Sequence, residues 1–134
     1  MKSIVTAGGQ NSADPTTARN VVFAFLGAAG LILKARYSGP HLELVHSYGG
    51  NVAASFAVYF VLATALSRLK FSRALRAVLA MGVVALFEAT DGFKVMSNTY
   101  DPTDYLANGV GIVLALLVDA IAAKVNGSRP ARNE

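Results

Sequence analysis

The chain has no cysteine and no tryptophan. Without cysteine there is no disulfide framework, no thiolate zinc site and no cysteine nucleophile. Charge is scarce as well. Asp, Glu, Lys and Arg make up 15% of the 134 residues, where an ordinary water-soluble domain has about 25%. There is no Gly-rich phosphate loop, no nucleophile elbow and no zinc-protease helix motif. Ser47 and Ser55 have no base arrangement beyond the neighbouring His46. No repeat of solenoid length is visible. These absences weigh against an enzyme, and most of all against one built on a soluble cofactor fold.

What is present is apolar. Hydrophobic residues reach 54% and the mean hydropathy is +0.46, too apolar for disorder of the whole chain. A bilayer crossing takes roughly 20 helical residues, and the long apolar stretches are spaced to supply four: about 18–37, 47–67, 74–96 and 103–124. The second carries no charge between His46 and Arg68. The first is short between Arg19 and Lys34, so Lys34 must snorkel. Its apolar core has the length of a signal peptide, but the region before it is long and carries Asp14, and Lys34 and Arg36 follow in place of a small-x-small site. It reads as a retained span. The expectation is an all-α integral membrane four-helix bundle over 18–125, with a mobile segment at 1–17 and a tail at 126–134.

Basic residues set the orientation. Lys2, Arg19, Arg68, Lys70, Arg73, Arg76, Lys124, Arg129 and Arg132 fall on one side, against Lys34, Arg36 and Lys94 on the other. The positive-inside rule then puts both termini in the cytoplasm, in a multi-pass protein of a cell membrane such as a bacterial inner membrane. The formal charge of +4 is therefore a topology signal and a contact for anionic lipid heads. Nucleic acid is not an expected partner, because no basic patch is interleaved with aromatics.

The few acids are the main clue. Glu88 and Asp91 sit on one face of the third span. Two acids at mid-membrane cost about 5–7 kcal/mol, and the strongly apolar residues between Leu75 and Val95 return roughly 3–5 kcal/mol. The two must therefore lie near the surface, be protonated or have polar partners. Glu88 lies about 21 Å along its helix, in the outer half. The fourth span opens with Asp101-Pro102-Thr103-Asp104. Asp101 fits an N-cap, Pro102 the first helical position, and Asp104 the acid of a capping box. Asp104, Asn108, Ala115 and Asp119 fall within about 60° of one another around a helix, with Gly111 at the edge. This stripe of polar and small residues should face other helices, and Asn108 should reach the depth of Glu88. Asp119, on the basic side, reads as structural, paired with Arg73, Arg76 or a lysine. The outer loop adds His41, Glu43, His46 and Tyr48. His41 and His46 are five apart in a loop, which is not a helical ligand spacing, so no metal and no cofactor are expected. The candidate polar cluster is Glu88, Asp91, Asp104, Asn108, His46, His41 and Asp101.

A glutamate late in one span, Glu88, followed by Asp104-Tyr105-Leu106-Ala107-Asn108-Gly109-Val110-Gly111, resembles the VanZ-like membrane proteins, as does His46-x-Tyr48 before the second span. The resemblance covers roughly 41–120. It departs where Asp91 stands in place of a glutamine, where Asn98-Thr99-Tyr100 holds no arginine, and where Glu43 stands for a basic residue. It implies a fold and a location more than a reaction, with cell-envelope and glycopeptide (teicoplanin) resistance roles. The functional expectation is an outward-facing polar pocket that binds a lipid-linked or cell-wall head group. The alternatives are a non-catalytic subunit of a larger membrane complex and a small proton-coupled transporter. Expected partners are membrane lipids, a lipid-linked head group, and another membrane protein or a second copy of the chain.

Overall fold

A computed structural model describes residues 14–92 and 101–127, the side chains of 91 and 92 excepted. Among them there are four long helices and no strand. They are α1 (Pro15–Lys34), α2 (Leu42–Ala65), α3 (Arg73–Gly92) and α4 (Thr103–Gly127), with one 3-10 turn at Ser67–Leu69 between α2 and α3. The boundaries follow local chemistry. Asp14 accepts from the Thr16 amide at 3.1 Å and Pro15 takes the first helical position, so α1 starts three residues before the sequence-based boundary of 18. Residues 15–17 of the expected mobile segment are thus helical, and 1–13 lie outside the described residues. The C-terminal tail likewise gives up 126 and 127 to α4. Lys70, in the left-handed region at φ 49°, turns the chain, and the Ser72 hydroxyl accepts from the Leu75 amide at 3.2 Å to start α3. Asp101 caps α4 through the Thr103 amide at 2.9 Å, as its sequence position implied.

The helices run up and down. The beginnings of α1 and α3 and the ends of α2 and α4 share one end of the bundle, joined by Arg19, Arg73, Tyr59 and Asp119. We call this the basic end. Contacts among Lys34, His46, Tyr48, Asp101, Glu88 and Asn108 define the opposite, acidic end.

α2 is the central helix and packs against the other three. Between apolar helices in lipid, close approach of backbones substitutes for a hydrophobic driving force, and small residues provide it here. A Cβ on Gly27 would lie 2.8 Å from the Ala57 Cβ and 2.9 Å from its amide nitrogen, so α1 lies directly on α2. Gly111 brings α4 equally close to α2, against Ser55 and the Val52 carbonyl. The core continues through Tyr59, Phe60, Ala63, Ala80 and Ala115, all at or below 1% exposure. Phe60 packs in tilted contacts against Phe23 at 4.9 Å and Phe56 at 5.0 Å between ring centroids.

The outside is as apolar as the inside. Phe25, Leu86 and Leu106 are 70% exposed or more, and large apolar side chains are exposed on all four helices. A water-soluble monomer rarely shows a contiguous apolar surface of this extent; a bundle in lipid requires one. α1, α2 and α4 are each long and apolar enough to cross a membrane. The 20-residue α3 is long enough, but its charges (Arg73, Arg76, Glu88 and Asp91) keep it below the apolarity of an independent span. Two of those charges turn to partners on α4, Arg76 toward Asp119 and Glu88 toward Asn108, while Leu86 and Phe87 face out. The third span therefore depends on the fourth in a way that hydropathy alone does not register.

Candidate functional site

At the acidic end the expected polar residues form a series of pairs rather than one ring. Asn108 is buried and donates from Nδ2 to Oε1 of Glu88 at 3.1 Å. One turn earlier, Asp104 bonds to the Asn51 side chain, with the Lys34 charge nearby. At the top, the Tyr48 hydroxyl donates to Asp101 at 3.4 Å. The Thr103 backbone amide, then its hydroxyl, hold the Asp101 carboxyl below the usual carboxylate range, with Tyr48 adding to the effect and burial opposing it. Asp104 forms no capping box. Its carboxylate turns across to α2 because α2 carries Asn51 and lies beside Lys34, both better partners than its own helix end.

The two histidines stand apart from these acids. His41 occupies the N-cap position of α2 in the left-handed region, φ 58°, and makes no side-chain cap bond. His46, in the second turn, has its Nε2 3.0 Å from the Tyr37 carbonyl, which can only accept, so the ring donates. The Lys34 ammonium lies across Gly50 and donates to the His46 carbonyl at 3.1 Å. His46 thus ties the α1–α2 loop to α2 and does not join Glu88, Asp104 and Asn108. The Asp91 side chain lies outside the described residues. Among those described, no three His, Asp or Glu side chains come together as a metal site.

Beside this end, α1 and α2 enclose a groove of about 700 Å³. Its walls are apolar, with Leu26, Leu33, Val52 and Phe56 among them, and Lys34, Tyr37 and Tyr48 stand at its polar rim. Through Lys34 and Tyr48 the rim connects to Asp104 and Asp101. Sequence reading placed the acids but not the groove, since α1 supplies one of its walls.

The most strongly organised polar cluster is at the basic end. Asp119 is 2% exposed. Its Oδ1 accepts from Arg19 Nη2 at 2.6 Å, and its Oδ2 accepts from the Tyr59 hydroxyl at 2.9 Å and faces Arg73 Nε at 3.4 Å. Arg76 Nη1 stands 4.0 Å away, and Arg19 also donates to Asn20 at 2.9 Å. One carboxylate therefore ties all four helices. Arg73 and Arg76 were foreseeable partners of Asp119. Arg19 and Tyr59 were missed, although a tyrosine inside an apolar span needs a partner for its hydroxyl and Arg19 and Asp119 both lie toward the basic ends of their helices.

Compared with family models, with curated proteins and with solved structures, the chain shows no match. Its geometry therefore carries the functional argument.

The Asn108–Glu88 bond yields a direct expectation. Asn108→Leu should cost about 1–2 kcal/mol, the scale of an interhelical hydrogen bond in a membrane protein. The α3–α4 pairing should weaken while α1–α2 stays intact. Hydrogen exchange of the full chain in micelles checks this: faster exchange confined to α3 is expected, and unchanged exchange there would refute the role assigned to the bond.

Proposed function

We propose that this is a multi-pass protein of the cell membrane, of the bacterial inner-membrane type, which receives a lipid-linked head group at its acidic end. Nine basic residues against three favour both termini in the cytoplasm, which turns the acidic end outward. The observation that carries the reading is the groove between α1 and α2. An apolar trough of about 700 Å³ with Lys34 and Tyr48 at its rim has the chemistry of an amphiphile: hydrocarbon along Leu26, Leu33 and Phe56, and an anionic head at Lys34. Asp101, Asp104 and Asn51 next to it can bond hydroxyl or amide groups of that head. The VanZ-like resemblance and its cell-envelope setting agree with such a ligand.

Glu88 has Asn108 as a partner, which supports a structural role for it over a proton relay. Gly27, Ala53 and Ala57 are used between α1 and α2, which removes part of the support for a subunit that docks through small residues.

A photoactivatable polyprenyl phosphate, offered to the full chain in phosphatidylcholine nanodiscs, tests the reading. Crosslinks should map to α1 and α2 around Leu33 and Val52. Gly49 lines the groove and a Cβ there meets only Val45, at an ordinary 3.6 Å, so Gly49→Leu starts free of backbone obstruction and adds bulk at the groove wall. Gly49→Leu and Lys34→Gln should each weaken labelling about tenfold, equivalent to about 1.4 kcal/mol. Labelling that is unchanged in both variants, or spread evenly over the lipid-facing surface, would overturn it.

A further inference from the structure

At the basic end, Thr16 and Arg19 from α1, Ser72, Arg73 and Arg76 around the start of α3, and Asp119 from α4 line a cleft of about 590 Å³. Three guanidinium groups face one carboxylate there, so the lining keeps a surplus of two positive charges. The carboxylate is already engaged: Oδ1 holds Arg19, and Oδ2 holds Tyr59 and faces Arg73 Nε. Arg76 Nη1, at 4.0 Å, lies beyond hydrogen-bond reach of Asp119.

A second observation shows the surplus directly. Arg76 Nε is buried and has no hydrogen-bond partner among the described residues. A buried N–H is seldom left without an acceptor. Arg73 is half exposed, and among the described residues its two terminal nitrogens make no hydrogen bond. The cleft therefore holds unused donors of fixed positive charge. α3 begins at Arg73 and points its N-terminus into the cleft, which adds the positive end of a helix dipole. Exposed Arg68, Lys70 and Lys124 stand on the same end. Among the described residues, the acid near this end apart from Asp119 is Asp14, which is occupied in capping α1.

We propose that this cleft is a binding site for a phosphoryl group, with Arg73 and Arg76 as its principal donors and Arg19 held in place by Asp119. Arginine forks match the oxygens of a phosphate in pairs, and Arg76, which lines the cleft, has donor capacity unused. The cleft is lined by the start of α1 and the end of α4, two helices long and apolar enough to cross a membrane, so a lipid phosphate at that membrane face is one source of the ligand. The same chemistry would accept the monoester head of a phosphatidic acid or a free phosphate from water. This site is independent of the groove at the opposite end.

The full chain in dodecylmaltoside micelles separates the sources. Thermal unfolding is followed by circular dichroism at constant ionic strength in three arms: added phosphatidylcholine, added phosphatidic acid, and inorganic phosphate with sulfate as its control. A rise in melting temperature with phosphatidic acid but not phosphatidylcholine identifies the lipid as the source. A rise with inorganic phosphate above that with sulfate identifies the free ion. Either rise supports the site if Arg73→Gln weakens the apparent affinity about tenfold, the loss of one charged hydrogen bond. Arg73 is half exposed, so this variant should fold, and phosphatidic acid counted by native mass spectrometry gives a readout that does not depend on its stability. No rise in any arm, or an equal rise in the wild type and Arg73→Gln, overturns the proposal.

Discussion

Asp119→Ala should lose about 3–5 kcal/mol of stability, the cost of breaking a buried ion pair by removing one partner. The loss comes less from the missing attraction than from what remains. Arg19 has a side chain 15% exposed and Arg76 one 18% exposed, and without Asp119 each keeps its charge in a partly dry place with nothing opposite. Tyr59 is fully buried and loses the acceptor of its hydroxyl. Graded controls separate these contributions. Tyr59→Phe should cost about 1 kcal/mol, one neutral donor. Arg73→Gln should cost under about 1 kcal/mol, because a half-exposed pair is screened by water. Arg19→Met combined with Asp119→Leu should recover a large part of the single-variant loss, since a buried pair can often be replaced by apolar groups of similar volume. Equilibrium unfolding in mixed micelles gives these numbers, with Arg19→Met and Asp119→Leu also measured singly to close the double-mutant cycle. If the losses of Arg19→Met and Asp119→Leu simply add, the two residues are not coupled and Asp119 does not tie the bundle as described.

Gly111→Ala is the second large effect, and its cause is steric. A Cβ at this position would overlap Ser55 Oγ and the Val52 carbonyl oxygen. A side chain can rotate away, but a helix carbonyl cannot, so α4 must move off α2 along the line that also carries Asn108, Ala115 and Asp119. Overpacking of this kind typically costs about 1–3 kcal/mol, and a backbone obstacle puts Gly111→Ala at the upper end. Adding Ser55→Ala removes the hydroxyl but leaves the carbonyl, so it should recover only part of the loss. Gly109→Ala is the control: nothing lies within 4 Å of its Cβ position, and the change should stabilise α4 by up to about 1 kcal/mol through helix propensity. Thermal unfolding of the three variants decides the matter. Equal melting temperatures for Gly111→Ala and Gly109→Ala would mean that α2 and α4 do not approach as closely as the structure places them.

The membrane character and the all-helical class were legible in the chain itself. Hydropathy, helical period and the cap Asp101 are local properties, fixed by residues a few positions apart. So was the stripe on α4, because 3.6-residue periodicity alone puts Asn108, Ala115 and Asp119 on one face, and all three are buried. The Glu88–Asn108 bond was also within reach, since a short link places the two at equal depth. What each remaining polar group would choose as a partner was not legible. Asp104 sits where a capping box would use it, yet it turns to Asn51; His46 was grouped with the acids of the outer face, yet it serves the Tyr37 carbonyl. Arg19 and Asp119 are a hundred residues apart, and their meeting depends on how α1 and α4 both lean on α2. Only packing decides that, because the lateral order of helices in lipid is set by where glycine lets two backbones touch, and neither hydropathy nor spacing along one helix contains that information.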